Sequence, residues 1–234
     1  MALAKIQKHS AERLAADAIR EYILGGQIAP GARLTEVHLA ERFSLSRATV
    51  RGAMQRMVQE GLLVLVPYVG WEVMSITSHD AWELYTLRQS LESLGARLAS
   101  ENMDEKGKTA LRAAYQKLVD ASAANSLKDV SAADFELHRT IIGLSGHRRL
   151  AQQYQFIEQQ ISLYIFWSDY MPSQQSVYQV VLDHHGPIVE AILAGDSELA
   201  GRLAADHNAS EGLKLVKHLQ QIESERAAAR IESA

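Results

Sequence analysis

The stretch Thr35–Leu63 reads TEVHLAERFSLSRATVRGAMQRMVQEGLL, and its pattern decides how the rest of the chain is interpreted. Apolar residues recur at helical spacing on both sides of Phe43–Ser46, which predicts two short helices joined by a tight turn. The apolar stripes are Leu34, Val37, Leu39, Ala40 and Phe43 in the first helix, and Val50, Ala53, Met54, Met57 and Val58 in the second. We therefore interpret this stretch as a helix-turn-helix unit.

The second helix begins with side chains that suit nucleic acid. Ser46 directly precedes it and can accept a hydrogen bond from one of the unpaired backbone N–H groups at its start. The exposed positions that follow are Arg47, Thr49 and Arg51. Guanidinium and hydroxyl groups at a helix N-terminus can bind phosphates and base edges in the major groove. We therefore expect this helix to read double-stranded DNA.

Charge and composition are consistent with DNA binding by the first third of the chain only. The 234 residues carry a net charge of −4, but residues 1–75 contain nine Lys/Arg and seven Asp/Glu. Because cysteine is absent, disulfides, cysteine nucleophiles and thiolate metal ligands are excluded. No apolar run is long enough for a membrane span, and residues 1–14 lack the apolar core of a secretory signal. We expect a cytoplasmic protein without membrane contact.

The residues around the helix pair predict a small N-terminal domain. Before the pair, Ala11–Leu24 has the pattern of an amphipathic helix. After it, β-branched and aromatic residues predict strands at Leu62–Val66 and Trp71–Met74, with a turn between them. Three helices and a hairpin make a winged helix-turn-helix domain, which we expect over residues 1–76.

The remainder of the chain predicts helices only. They are expected at Asp80–Ser100, Lys108–Ala121, Ser131–Leu144, Leu150–Tyr170, Ser173–Leu193 and Ser197–Leu219. Pro187 should kink or split the fifth of them. We expect an all-α antiparallel bundle over residues 77–225 and a flexible tail over 226–234, so the whole protein is mainly α.

The sequence resembles the GntR-type bacterial transcription regulators, in particular the FadR-like branch with an all-helical FCD effector domain. The resemblance covers nearly the whole chain. It rests on Leu34-Thr35-Glu36, Leu39-Ala40, Phe43, Ser46-Arg47, Val50-Arg51, Ala53-Met54, Met57, Glu60-Gly61-Leu62 and the wing residue Gly70. It implies a homodimer on a palindromic operator, more often a repressor than an activator, with a small organic acid as effector. The DNA-facing positions it implies are Arg33, Ser46, Arg47, Thr49, Arg51 and Gly70.

Two features depart from the family pattern. Gly52 stands where an acidic residue is usual, and a helical glycine costs about 1 kcal/mol relative to alanine. The sequence offers no benefit to offset this cost. The wing, Val66–Gly70, lacks the basic residues that are often found there. We expect its contact with the minor groove to be weak.

Four residues of the helical domain form a candidate metal-ligand set. Asp134 and His138 are four residues apart and so project from one face of a helix, while His185 and His207 belong to two later helices. Three imidazoles and one carboxylate suit Zn²⁺, Ni²⁺, Mn²⁺ or Fe²⁺, with Zn²⁺ expected in purified protein. Spacing alone leaves two alternatives. Asp134 could be the acid of a capping box opened by Ser131, and the histidines could simply pack in the core or lie at the surface.

The resemblance favours the metal site, because these four residues match the metal-binding positions of the FCD family. His184 competes with its neighbour His185 as the ligand. Glu136 and Asp206 are candidates for outer hydrogen-bond partners of the ligands.

The resemblance also implies that Arg88 helps to bind the effector. Arg88 could instead be a surface charge, or could pair with Glu92 one helical turn later. The function that follows is a ligand-responsive regulator and not an enzyme. A metal-dependent enzyme acting on a small carboxylic acid is the alternative, and a purely structural metal is a third reading.

Overall fold

The computed structural model describes residues 11–24, 27–75, 77–167 and 174–232. The chain divides into two compact units. One contains the residues up to Ile76 together with Gln159–Trp167, and the other contains Thr77–Glu158 and the residues from Ser168 onward. The mainly α class is confirmed. No described helix has the length and apolarity needed to cross a membrane.

The N-terminal unit contains the predicted helix pair. Its elements are α1 (Ala11–Leu24), β1 (Arg33–Leu34), α2 (Glu36–Phe43), α3 (Arg47–Gln59), β2 (Leu63–Val66) and β3 (Gly70–Val73). The strands form an antiparallel sheet in the order β1-β3-β2. The strand β1 was not predicted, because two residues are too short for a recognisable alternation. It places Arg33 opposite Glu72 on β3.

Local side-chain chemistry sets the limits of the helix pair. The Thr35 hydroxyl accepts from the backbone N–H of His38 at the start of α2, and Ser44 ends that helix in the left-handed conformation at φ 54°. Ser46 caps α3 as predicted, with its Oγ 3.1 Å from the backbone nitrogen of Thr49. The predicted apolar stripes are largely buried. Val37 and Val58 lie at the stripe edges and remain 45% and 36% exposed.

Among its described residues, the second unit contains helices joined by short turns and no strand. Its helices are α4 (Ser78–Glu101), α5 (Glu105–Ala123), α6 (Leu127–Leu144), α7 (Arg148–Trp167), α8 (Gln174–Ala194) and α9 (Ser197–Glu232). Thr77 caps α4 in a capping box with Asp80. An apolar core contributed by α4, α5, α6, α8 and α9 includes Leu111, Leu118, Leu137, Ile188 and Ile192. The helix α7 has residues in both units.

Several predicted helix limits differ from the observed ones. The helix α6 begins at Leu127, capped by Ser126, because Val130 is buried and extends the apolar stripe toward the N-terminus. The capping-box alternative for Asp134 is therefore wrong, since this residue lies well inside the helix. The helix α8 continues through Pro187 without a split. The predicted helix ends at Tyr170 and Ser173 lie outside the described residues.

The helix α9 is longer than expected. It was predicted to end at Leu219, but it continues to Glu232 as a helix of 36 residues and so enters the proposed tail. The domain limits at 76 and 225 stay predictions.

Glycines allow α4 and α9 to approach closely. A Cβ on Gly212 of α9 would lie 2.6 Å from the Cβ of Tyr85 and 2.9 Å from its Cγ. These atoms sit at the base of a buried side chain, which has little freedom to move away. By contrast, a Cβ on Gly143 of α6 would meet nothing within 4 Å.

We predict that Gly212→Ala and Gly143→Ala have opposite effects on stability. In Gly212→Ala, overpacking against Tyr85 should cost about 1–3 kcal/mol and outweigh the better helix propensity of alanine. Gly143→Ala should be neutral or stabilising by up to about 1 kcal/mol. Urea denaturation of the metal-free proteins measures both free energies of unfolding. Equal midpoints would contradict a close α4–α9 contact at Gly212.

Candidate functional site

The second unit buries a cluster of polar side chains from α4, α6, α8 and α9. Charged and imidazole groups are seldom fully buried unless they have partners. The buried members are Arg88, Glu92, His138, His185, His207 and Asn208. Asp134 lies at the edge of the cluster with 23% of its side chain exposed. The structure therefore brings together all four predicted metal ligands and Arg88.

Three of the four predicted ligands converge on one point. The Nε2 atoms of His138 and His185 are 3.1 Å apart. Oδ1 of Asp134 lies 3.0 Å from Nε2 of His185 and 3.7 Å from Nε2 of His138. The ring of His207 is 4.5 Å from that of His185 between centroids, and its buried Nδ1 has no hydrogen-bond partner. The three histidines offer ligand atoms within 4.8 Å of one another.

Hydrogen bonds on the outer side of two rings leave their Nε2 atoms available. His185 donates from Nδ1 to the carbonyl oxygen of Val181 at 2.7 Å. His138 donates from Nδ1 to Oε2 of Glu92 at 2.9 Å. A neutral imidazole with its proton on Nδ1 presents a lone pair on Nε2. This arrangement, an outer acceptor behind each ring, is the one that orients metal-binding histidines.

Glu92 is the residue on which these bonds depend. Besides His138, it accepts from Arg88 Nε at 2.6 Å, Tyr154 Oη at 2.8 Å and Asn208 Nδ2 at 2.7 Å. The predicted Arg88–Glu92 pair is confirmed, and the surface-charge reading of Arg88 is wrong because its side chain is 4% exposed. The sequence showed Glu92 as a partner of Arg88, but nothing in it connected Glu92 with Tyr154 or Asn208.

Neither Glu136 nor Asp206, the predicted outer partners of the ligands, accepts a hydrogen bond from one of the clustered histidines among the bonds observed. Glu136 instead binds Lys117 at 2.6 Å on an exposed face. Asp206 is exposed on α9. Helical phase separates both side chains from the buried cluster.

Burial and charge act against each other on the titratable groups. Burial alone would raise the pKa of Glu92, but Arg88 and His138 hold it well below its usual value. Burial would likewise raise the pKa of Asp134, and His185 and His138 lower it. Burial disfavours charge on His185, but the carboxylate of Asp134 outweighs this effect and raises its pKa. Burial, together with His185, holds the pKa of His207 well below its usual value.

His184 belongs to a second, more exposed group of donors. It forms a set with His207 and Glu211 whose ligand atoms also lie within 4.8 Å of one another. Nδ1 of His184 is 3.6 Å from Oε1 of Glu211, which also accepts from Nζ of Lys214 at 2.7 Å. His185 and not His184 therefore faces Asp134 and His138, while both neighbours approach His207.

The predicted DNA-facing arginines lie exposed on the N-terminal unit. Arg51 donates to both carboxylate oxygens of Glu36, from Nε at 2.7 Å and from Nη2 at 2.9 Å. Nη2 of Arg47 is 4.0 Å from the same carboxylate. Trp71 also donates from Nε1 to Glu36 at 3.3 Å. Glu36, the residue at the centre of these bonds, was noted in the sequence only as part of the family pattern.

The remaining predicted DNA-facing residues flank this group. Arg33 is 3.3 Å from Glu72 and largely exposed. Oγ of Ser46 lies 2.8 Å from Oγ1 of Thr49. Gly70, at the start of β3, adopts φ 107°, a conformation that favours glycine. Tyr68, in the turn before it, is fully exposed.

A Cβ at Gly52 would lie 2.8 Å from Cδ of Glu12 on α1. Glu12 is exposed, and the end of its flexible side chain can move away. Nothing in the structure therefore explains the glycine at this position.

Comparison with known proteins identifies both parts of the chain. Residues 83–210 match the family described as FCD domain, and residues 12–73 match bacterial regulatory proteins of the gntR family. A protein of Paenarthrobacter nicotinovorans named "Probable D-xylose utilization operon transcriptional repressor" is 24% identical over 199 residues, which cover 83% of this chain and 86% of that protein.

Solved structures share the fold. The Escherichia coli protein McbR/YncC superposes with a TM-score of 0.74 at 19% identity, covering 89% of this chain and 98% of its own. A transcriptional regulator described as GntR from Rhodococcus sp. RHA1 reaches a TM-score of 0.73 at 23% identity, covering 88% and 97% of the two chains.

The matched families and the named relative are transcription regulators, and they do not support the alternative of a metal-dependent enzyme. An N-terminal GntR domain with an exposed arginine pair is followed by an FCD domain with a buried histidine cluster. The chain belongs to the GntR family of bacterial regulatory proteins, as a DNA-binding transcription regulator with an FCD domain.

Proposed function

We propose that this regulator is a repressor that binds a palindromic operator as a homodimer and senses a small organic acid at a metal site in its helical domain. The observation that carries the proposal is the convergence of Nε2 of His138, Nε2 of His185 and Oδ1 of Asp134 beside the unpartnered His207. The name of the relative from Paenarthrobacter supports repression. A cytoplasmic location stays a prediction.

In this proposal Asp134, His138, His185 and His207 hold one divalent ion. The donor set of three ring nitrogens and one carboxylate oxygen fits Zn²⁺, Ni²⁺, Mn²⁺ or Fe²⁺, with Zn²⁺ expected after purification. FCD domains are often metal-binding, which supports the assignment. The ion supplies a positive centre with free coordination positions, to which a carboxylate oxygen of the effector can bind.

Arg88 is the second anchor for the acid. Its Nε is bound to Glu92, but its buried Nη2 has no hydrogen-bond partner. A charged N–H group in this state can donate to a carboxylate. The cavity lined by Glu92, His138 and apolar side chains has a volume of about 10 Å³. This is space for at most one water molecule, so this cavity by itself does not hold an organic acid.

DNA binding is assigned to the exposed side chains of the N-terminal unit. Arg47 and Arg51 have planar guanidinium groups suited to guanine edges or phosphates, and Arg33 can bind the backbone. Ser46, Thr49 and the wing at Gly70 complete the surface. Because positive charge exceeds negative by only two in residues 1–75, one copy should bind weakly. Two copies on a palindrome would add their binding free energies, which favours a homodimer.

An exposed apolar face on α4 supports dimerisation. Leu87 and Leu94 are 48% and 40% exposed and lie seven residues apart, on the same side of the helix. Large apolar side chains arranged in this way are typical of helix–helix interfaces.

We predict that a small organic acid stabilises the metal-loaded protein and changes its affinity for the operator. A ligand present at about 100 times its Kd raises the free energy of unfolding by about 2.7 kcal/mol. A thermal-shift screen of small organic acids on the Zn²⁺-loaded protein identifies the ligand, and operator binding is then measured with and without it. Acids that stabilise Asp134→Ala as strongly as the natural chain would contradict coordination by the metal.

The same screen separates sensing from a purely structural metal. His185→Ala should remove the response to acids while the chain stays folded, whereas a structural metal predicts loss of the fold. Arg88→Lys is the suitable variant for the second anchor. It keeps a positive charge beside buried Glu92, whereas a neutral residue would remove the cationic partner of that carboxylate at a cost of about 3–5 kcal/mol.

We predict that metal affinity falls as the pH is lowered. A metal binds the unprotonated imidazole, and Asp134 raises the pKa of His185 above its ordinary value of 6.5. Below that raised pKa the metal must displace a proton, so the affinity should fall about tenfold per pH unit. Zn²⁺ titrations by calorimetry between pH 8 and pH 5.5 measure the slope. An affinity that is independent of pH over this range would contradict the assignment of His185 as a ligand.

We predict that Glu36 positions Arg51 for reading DNA. Glu36→Gln removes the ion pair that holds Arg51, so affinity for the operator should fall about tenfold, within the 1–3 kcal/mol of one bidentate base contact. Affinity for unrelated DNA should not fall, since a negative charge has been removed. Fluorescence anisotropy with operator DNA and with unrelated DNA measures the two affinities, and their ratio gives the specificity of each variant.

Glu41→Gln is the matched control for this experiment. It removes the same charge from the same helix, α2, at an exposed residue that takes no part in the two bonds that Arg51 makes to Glu36. If both variants changed operator affinity equally, Glu36 would have no positioning role.

A further inference from the structure

We propose that His184 and Glu211, together with His207, form an outer cation site through which a divalent metal ion reaches the buried site. The inference rests on the proposed function, because it assumes that Asp134, His138 and His185 hold a metal with His207. It adds two residues, His184 and Glu211, that the family pattern did not assign. In this proposal they bind the metal ion while it enters or leaves, and they do not hold it once it is in the buried site.

The first step of the argument is that the inner donors are hard to reach. The side chains of His138 and His185 are each 3% exposed, and His207 is 9% exposed. An ion in water carries a strongly held hydration shell, which must be replaced by protein ligands as the ion enters. A buried metal site therefore needs an entry path that offers donors before the final position.

The second step is that donors of the right type lie beside the inner site. The side chains of His184 and Glu211 are 33% and 25% exposed, so both reach solvent. Nδ1 of His184 is 3.6 Å from Oε1 of Glu211, and the His184 and His207 ring centroids are 5.7 Å apart. One imidazole pair and a carboxylate are again suitable ligands for a first-row divalent ion.

The third step is that His207 belongs to both donor sets. It forms one set with His138 and His185, and another with His184 and Glu211. Its Nδ1 is buried and has no hydrogen-bond partner. Since the two sets share this ring, His207 connects the outer donors with the inner ones.

The fourth step explains why the outer set should hold metal only briefly. Oε1 of Glu211 also accepts from Nζ of Lys214 at 2.7 Å. The ammonium group competes with a cation for the same oxygen. At the inner set, Asp134 Oδ1 instead lies 3.0 Å from Nε2 of His185, which is itself one of the proposed ligands. The ion should therefore pass inward and not remain at Glu211.

The test measures the rate of metal loading separately from the affinity. Apo protein is mixed with Co²⁺ in a stopped-flow instrument, and the absorption of the bound ion is followed. Release is measured by adding a chelator to the loaded protein. A residue on the entry path affects both rates in the same proportion, because the ion passes it in either direction. A resting ligand instead changes the ratio of the rates.

We expect His184→Ala and Glu211→Gln each to slow both loading and release by about tenfold, the scale on which local charge and donors alter association rates. His184→Ala changes no formal charge, so its effect cannot come from a weaker field alone. Lys214→Gln should have the opposite effect and speed loading, because Glu211 is then free to bind the incoming ion.

The matched control is His79→Ala with Glu83→Gln. This exposed pair on α4 has the same 3.6 Å separation between a ring nitrogen and a carboxylate oxygen, but it belongs to neither donor set. Its loading rate should equal that of the natural chain.

The outcomes separate failure of this inference from failure of the proposed function. If the natural chain gives no Co²⁺ spectrum that depends on His138 and His185, the inner metal site itself is wrong. If that spectrum is present but His184→Ala loads and releases the ion at the natural rates, the metal enters elsewhere and the outer site is wrong. If His184→Ala loads slowly but releases quickly, His184 is a resting ligand, which also overturns the inference.

Discussion

One buried carboxylate, that of Glu92, organises the helical domain. It accepts hydrogen bonds from Arg88 on its own helix, His138 on α6, Tyr154 on α7 and Asn208 on α9. A buried ion is tolerated only when partners replace its hydration, and these groups replace it from four helices at once. Breaking such a set leaves an uncompensated charge at a cost of several kcal/mol. The carboxylate therefore fixes where these helices meet.

The same carboxylate determines what the histidine cluster can bind. Because Glu92 accepts a hydrogen bond from Nδ1–H of His138, the lone pair on Nε2 faces His185 and Asp134. The proposed anchor for the effector depends on it too, since Glu92 engages only part of the Arg88 guanidinium and leaves Nη2 without a partner. One acidic side chain thus links the orientation of a proposed metal ligand to the anchor proposed for the acid.

A carboxylate has a comparable position in the DNA-binding domain, with a different energetic weight. Glu36 holds Arg51 by two hydrogen bonds and lies near Arg47, but both arginines are more than half exposed. Ion pairs in water contribute at most about 1 kcal/mol. Arg51 can therefore turn toward a phosphate or a base at little cost while Glu36 still holds it, whereas Arg88 cannot leave Glu92 so easily. The exposed Glu36–Arg51 pair can therefore rearrange at low cost, whereas the buried Glu92–Arg88 pair is expensive to separate.

The sequence by itself determined the fold class, the helix pair with its Ser46 cap, and the metal-ligand candidates. Each follows from spacing along one helix or from the resemblance to a family. The prediction from sequence was wrong at the start of α6 and missed strand β1, because only a few residues there show a helix or strand pattern. Only the tertiary structure decided that Glu92 joins Tyr154 and Asn208, and that His184 and Glu211 approach His207. Periodicity states which face of a helix is buried, but the polar groups that meet there depend on how separate helices pack.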